Sequence, residues 1–192
     1  KNEKLISALG QISADQVLTD IDKYQARLIT PIDDDWPKQV NDLAAPPIAL
    51  ILKGNISALL QQSLAIVGTR NPTSYGARIA GDFAAGFADR EWAIVSGGAY
   101  GIDSYAHKGA LIAEGVTVAV IASGIDINYP AGNTRLFAEI CESGAMVTEF
   151  MPGQRALPHR FLTRNRLIAS LSKATLVVEA AFRSGSLRTA RD

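Results

Sequence analysis

Cysteine is nearly missing from this chain. Cys141 stands alone among 192 residues, so no intrachain disulfide can form, and a reducing, cytoplasmic compartment is expected. Histidine is almost as scarce, with His107 and His159 only, and no spacing of His, Cys, Asp or Glu suits a metal centre. No stretch nears the roughly 18 apolar residues of a membrane span, and none reads as a secretory signal. Two nucleotide fingerprints are also missing. There is no G-x-x-x-x-G-K-[ST] loop, and Gly97-Gly98-x-x-Gly101 departs from G-x-G-x-x-G. The nearest acid beyond the following strand, Asp126, lies 29 positions after Gly97 rather than about 20. Net charge is zero, which argues against a generically basic nucleic-acid binder.

That zero hides an asymmetry. Residues 1–150 carry 11 Lys/Arg against 17 Asp/Glu, and residues 151–192 carry 8 against 2. One localised anion-attracting face would produce this split. Solvated helix faces, with arginine stems lying over apolar surface, would produce it equally. Composition is otherwise that of a globular domain, with 47% hydrophobic and 20% charged residues. The chain opens without Met and stops at "SGSLRTARD", which is expected of a piece trimmed from a longer protein.

Residues 1–45 read as a small helical subdomain followed by a connector. "NEKLISALG" and "SADQVLTDIDKYQARL" space their apolar residues helically. "TPIDDDWPKQVNDLAAPP" is polar and proline-rich, an irregular connector with one short helical turn. Residues 46–192 alternate strands and helices. Strands are expected at 48–54, 63–70, 92–98, 116–124, 145–150 and 174–180, with helices at 73–91, 101–115, 133–144 and 159–172, and another opening in "SGSLRTARD". The strand runs are continuously apolar, as in a parallel sheet buried on both faces. The fold class is therefore α/β, a Rossmann-like, doubly wound, mostly parallel sheet.

In such sheets ligands bind at the C-terminal strand ends. Here those ends carry Gly68-Thr69-Arg70, Ser96-Gly97-Gly98, Ser123-Gly124, Glu149, and Glu179 followed by Ser184-Gly185-Ser186. Glycine lets a backbone approach a ligand, and a helix N-terminus offers amides to a phosphate. Tight strand-to-helix turns need the same glycines. Asp103 and His107 share a helix face, either as a catalytic dyad or as braces behind the glycine turn. Cys141 occupies an apolar helical position and reads as core. Glu149 and Glu179 form a carboxylate pair, or else brace Arg164, Arg166 or helix N-termini. "RALPHRFLTRNRLIASLS" clusters Arg155, His159, Arg160, Arg164 and Arg166 around Phe161. Arg164 and Arg166 are two apart and diverge on a helix, one toward the sheet edge and one toward solvent. Arginines beside glycine amides suit a single-stranded nucleic acid, with Tyr75, Tyr100, Tyr129 and Phe161 as candidate stacking rings.

In order, "VGTR", "SGGAYGIDSYAHKGAL", "ASGIDINYPAGNTRL", "TEFMPG", "FLTRNRLIASLS" and "VVEAAFRSGSLRTA" resemble the DNA-processing protein A family over about residues 30–192. The resemblance implies single-stranded DNA binding, homodimerisation and loading of a RecA-type recombinase in natural transformation, with no turnover reaction and no cofactor. Position by position it implies DNA contacts at Arg70, at the loop of Ser96, Gly97, Gly98 and Gly101, at Tyr129, Pro130 and Asn133, and at Arg164, Asn165 and Arg166. Family members often carry basic residues where this chain has Tyr100 and Ala131. Their loss removes two phosphate contacts, or shifts the role to Lys108 and Arg135. The family sheet usually continues past "SGSLRTA". The alternative is an enzyme similar to the nucleoside-monophosphate phosphoribohydrolases (the lysine-decarboxylase-like proteins), although their Pro-Gly-Gly-x-Gly-Thr-x-x-Glu loop is missing.

Overall fold

The structure is a computed structural model that describes residues 13–182 and 184–191; the expected helix in "NEKLISALG" lies outside them. Seven strands form one sheet: β1 (Ala26–Ile29), β2 (Leu50–Gly54), β3 (Ser63–Gly68), β4 (Ala93–Ser96), β5 (Thr117–Val120), β6 (Ala145–Thr148) and β7 (Ala174–Val178). Their order is β1-β2-β6-β5-β4-β3-β7. The five strands from β3 to β7 run parallel. β2 runs antiparallel to both β1 and β6.

Among the described residues six α-helices cover the sheet: α1 (Ala14–Lys23), α2 (Ser74–Ala88), α3 (Ile102–Ile112), α4 (Thr134–Ser143), α5 (Pro158–Ser170) and α6 (Gly185–Thr189). Alternate strand residues point to opposite faces. Val118 and Val120 of β5 pack with Leu167, Ile168 and Leu171 of α5. Ala119 and Ile121 pack on the other face with Leu136, Phe137 and Ile140 of α4. Beside them Leu64, Ile66 and Ile94 meet the alanines of α2 and α3. Those two helices pack closely because their contact face is small. A Cβ on Gly109 would lie 2.5 Å from the Gly81 carbonyl oxygen.

The sheet begins earlier than the sequence pattern suggests. Helical spacing persists through Leu28, but α1 ends at Lys23 and the chain reverses through Gln25 at φ +56°. Ala26–Ile29 then pairs with Leu50–Lys53, so the sheet crosses the boundary drawn at residue 45. The free edge of β2 outweighs the short helical repeat, because its backbone groups gain partners only from a strand. The proline-rich connector also belongs to this core. Trp36 and Val40 are buried beneath the sheet, and the Trp36 indole donates to Asn41 Oδ1 at 2.9 Å.

Candidate functional site

Chain direction along the sheet reverses at β3, which lies between β4 and β7. A groove of about 570 Å³ opens there, at the C-terminal ends of β3 and β7, where such a switch point places ligands. The β3 end contributes Thr69 and Arg70, the β4 loop Ala99, the first turn of α3 Asp103, and the β5 loop Tyr129. From α5 come Phe161, Arg164, Asn165 and Ile168, whose spacing is one helical stripe. Ser184–Ser186 close the far side.

Arg70 is exposed, and among the described residues no carboxylate lies within ion-pair distance of it. Its guanidinium carbon sits 5.3 Å from the Phe161 ring centre. Tyr129, half-exposed, meets the same ring at 5.5 Å and 57°. A free cation and two rings thus converge on the mouth of the groove.

The glycine loop is arranged differently from a phosphate cradle. The Gly97 and Ala99 amides donate to Asp103 Oδ2 at 3.2 and 3.3 Å. Asp103 is therefore the anion this loop holds. Gly97 lacks a Cβ for an internal reason, since one would lie 2.0 Å from Arg164 Nη1. At Gly98 a Cβ would strike the Phe137 ring at 2.5 Å, and at Gly101 the Thr69 carbonyl oxygen at 2.3 Å. Gly98 and Gly101 also have φ of +67° and +80°, where other residues are strained. Ser96 is fully buried and donates to the Ile66 carbonyl at 2.6 Å. Asn133 is buried too, and its amide ties the Gly98 carbonyl at 2.9 Å to Ser104 Oγ at 2.8 Å. Of the two readings for these glycines, tight packing is the one the geometry realises.

Arg164 is 4% exposed and donates through Nη1 to the Val120 carbonyl. Burial lowers its pKa to about 10, against an upward pull from Asp103 and with a further push down from Arg70. Burial likewise raises the Asp103 carboxyl, opposed by Arg164 and by the Ala99 and Gly97 amides. Arg164 is thus a strut between the glycine loop and β5 that shows one edge to the groove. Arg166 does not reach solvent as a free cation. Its Nη2 lies 2.6 Å from Glu149 Oε1, with both side chains largely buried.

The second acid at a strand end, Glu179, serves a helix terminus. Its carboxylate accepts from the Thr73 amide at 2.8 Å and from the Thr73 hydroxyl, at the start of α2. His107 is fully buried behind the loop, where its Nδ1 donates to Thr117 Oγ1 at 2.7 Å while that hydroxyl donates to the Ile94 carbonyl. Burial lowers its pKa to about 3, and Arg164 adds to the shift. Asp103 and His107 therefore brace the turn and form no dyad. Cys141 is half-buried with its pKa raised by burial. Among the described residues, no group of three or more His, Cys, Asp or Glu side chains could hold a metal ion.

Lys108 and Arg135 do not join Arg70. Both are exposed and line a second groove, between α3 and α4. The apolar wall of the first groove, Pro158, Leu162, Ile168 and Ala181, went unrecognised in the sequence. The signal available was the α5 stripe that carries Phe161, Arg164, Asn165 and Ile168 together.

Comparison with known proteins accords with this geometry. A Mycobacterium tuberculosis relative that carries the DprA name is 47% identical over 177 residues, covering 85% of this chain and 46% of its own length. The chain spans about half the length of the curated relatives it matches first. The structure of DNA processing protein A from Streptococcus pneumoniae superposes with a TM-score of 0.89 and 35% identity, over 97% of this chain and 65% of that one. That from Helicobacter pylori, described for its single-stranded DNA binding mode, superposes with a TM-score of 0.80 and 32% identity, over 87% and 75%. The family described as DNA recombination-mediator protein A matches residues 27–192, and this chain belongs to it.

Proposed function

We propose that this chain binds single-stranded DNA in the groove at the β3–β7 switch point, with Arg70 meeting a phosphate and the Tyr129 and Phe161 rings taking bases. The observation that carries the proposal is the exposed guanidinium of Arg70, set 5.3 Å from Phe161 with Tyr129 beside the same ring. Rings serve any base, and a guanidinium serves any phosphate, so this arrangement favours a strand of arbitrary sequence. The Helicobacter pylori relative, described as binding single-stranded DNA, supports the reading. So does the occupation of the Gly97 and Ala99 amides by Asp103, which takes from a small phosphorylated substrate the cradle it would need.

The same reasoning favours a binding protein over a phosphoribohydrolase. Glu179, the strand-end acid that precedes the "RSGSLRTA" loop, is engaged in capping α2. In our reading the DNA serves natural transformation, and the chain hands its strand to a RecA-type recombinase and pairs as a homodimer. Those last two rest on the family alone. The location we propose is cytoplasmic, and no described helix is long and apolar enough to cross a membrane.

The test is a titration of fluorescent oligonucleotides, single-stranded and duplex, at two salt concentrations. We expect preference for the single strand and a log–log salt slope of roughly −0.7 per phosphate contacted. Preference for duplex, or binding indifferent to salt, overturns the reading. Release of free base from nucleoside monophosphates would favour the enzyme instead.

A further inference from the structure

A tyrosine stands between two grooves, and each groove carries a cation. Tyr100 is 51% exposed. Its hydroxyl lies where a Cβ on Gly132 would come within 2.5 Å. Gly132 shows no left-handed φ, so its missing side chain is accounted for by the tyrosine resting on it. Tyr100 joins two loops at this point. Ala99 and Tyr129 line the first groove, and Gly132 and Asn133 line the second. The ring is therefore a ridge between them, its hydroxyl end resting against Gly132 and about half of its surface open.

The second groove has the same volume as the first, about 570 Å³. Its lining is apolar at Leu111 and Leu136, with Ile112, 82% exposed, at the rim. Its cations are available. Lys108 has no ion pair among the described residues. Among the described residues Arg135 pairs with Glu139 alone, at 2.8 Å, with its own side chain 92% exposed. Such a pair one helical turn apart is weak and readily exchanged for a phosphate. Lys108 lies six residues along α3 from Ile102, roughly 9 Å from the end nearer the ridge.

We propose that one DNA strand occupies both grooves, laying a base on the Tyr100 ring as it crosses and placing its next phosphates against Lys108 and Arg135. This deepens the reading of the first groove and rests on it. A half-open ring resting at one end against the backbone is a low-entropy platform for any base. The apolar lining beyond it suits sugar and base faces. Strand length then decides whether the second groove is used.

The experiment is a length series of labelled oligodeoxythymidines against the unaltered chain, Arg70→Ala, Tyr100→Ala and the double variant Lys108→Ala/Arg135→Ala, each checked by circular dichroism. The substituted side chains are exposed, so folding is expected to survive. Affinity should rise in a step once the strand passes a threshold length. The double variant should abolish that step and reduce the salt slope by about 1.4 on long strands only. Tyr100→Ala should weaken long strands about tenfold and leave short ones unchanged. Moved along a strand of the threshold length, a single abasic position should show a site, separate from those of Tyr129 and Phe161, where it costs affinity in the unaltered chain and nothing in Tyr100→Ala. A step that persists in both variants, or a loss equal at all lengths, overturns the two-groove strand. If Arg70→Ala binds every length normally, the first-groove reading itself falls.

Discussion

The sharpest prediction separates two arginines that lie beside one groove. Arg70 is exposed and free of carboxylates among the described residues. Arg164 is 4% exposed and spends its guanidinium on the Val120 carbonyl and the face of Gly97. Removing a phosphate contact should change the salt dependence, and removing a strut should change affinity alone. For a single strand, one contact is worth about 0.7 in the log–log slope, or about 2.5-fold in affinity between about 50 and about 200 mM salt. Arg70→Ala should show that loss of slope with little change in melting temperature. Arg164→Met removes charge but keeps much of the volume, and should leave the slope intact while lowering affinity at every salt concentration. It also removes the donor to the Val120 carbonyl and the positive charge that opposes the burial of Asp103; an unsatisfied buried carbonyl costs about 1–3 kcal/mol of the roughly 5–15 kcal/mol that holds a domain folded. Thermal denaturation therefore accompanies the fluorescence titration, and binding is read well below each melting point. If Arg164→Met loses as much slope as Arg70→Ala, Arg164 touches phosphate and the strut assignment is wrong. If Arg70→Ala keeps its slope, the groove is not where the backbone runs.

Two further outcomes follow from the packing behind the groove. Gly97→Ala forces a methyl against Arg164, 2.0 Å from Nη1, and should lower stability by about 1–3 kcal/mol in thermal melts, whereas unchanged melting would mean the guanidinium does not rest there. His107 is held neutral, its pKa lowered from 6.5 to about 3. The unfolded chain therefore binds the extra proton as pH falls below 6.5. Stability present above that value should decline by about 1.4 kcal/mol per pH unit toward acid. Asp103, raised by burial, works in the opposite direction over its own titration but is common to both proteins in the comparison. The difference in melting between the unaltered chain and His107→Gln, taken from pH 7 to 5, isolates the histidine. Parallel pH profiles would count against a neutral buried imidazole.

The order of elements and the layered α/β architecture were legible along the chain, because continuous apolar runs such as "SLAIVG" and helical stripes such as that of α5 are local properties of the sequence. The family was legible through "VGTR" and "FLTRNRLIASLS" read in order. Local pattern could not show that "ARLI" would leave a helical repeat to become an edge strand. That choice belonged to the unpaired backbone of β2, 21 to 27 residues farther along the chain. Nor could spacing say which glycines meet a ligand. Gly97, Gly98 and Gly101 are small because Arg164, Phe137 and the β3 loop press on them. The Gly97 and Ala99 amides are satisfied by Asp103 from the next helix. Arg70 and Arg164 look alike in sequence, and only burial makes one a free cation and the other a strut. Residue type sets what a side chain can do; the neighbours that compete for it, supplied from distant parts of the chain, decide what is left over for a ligand.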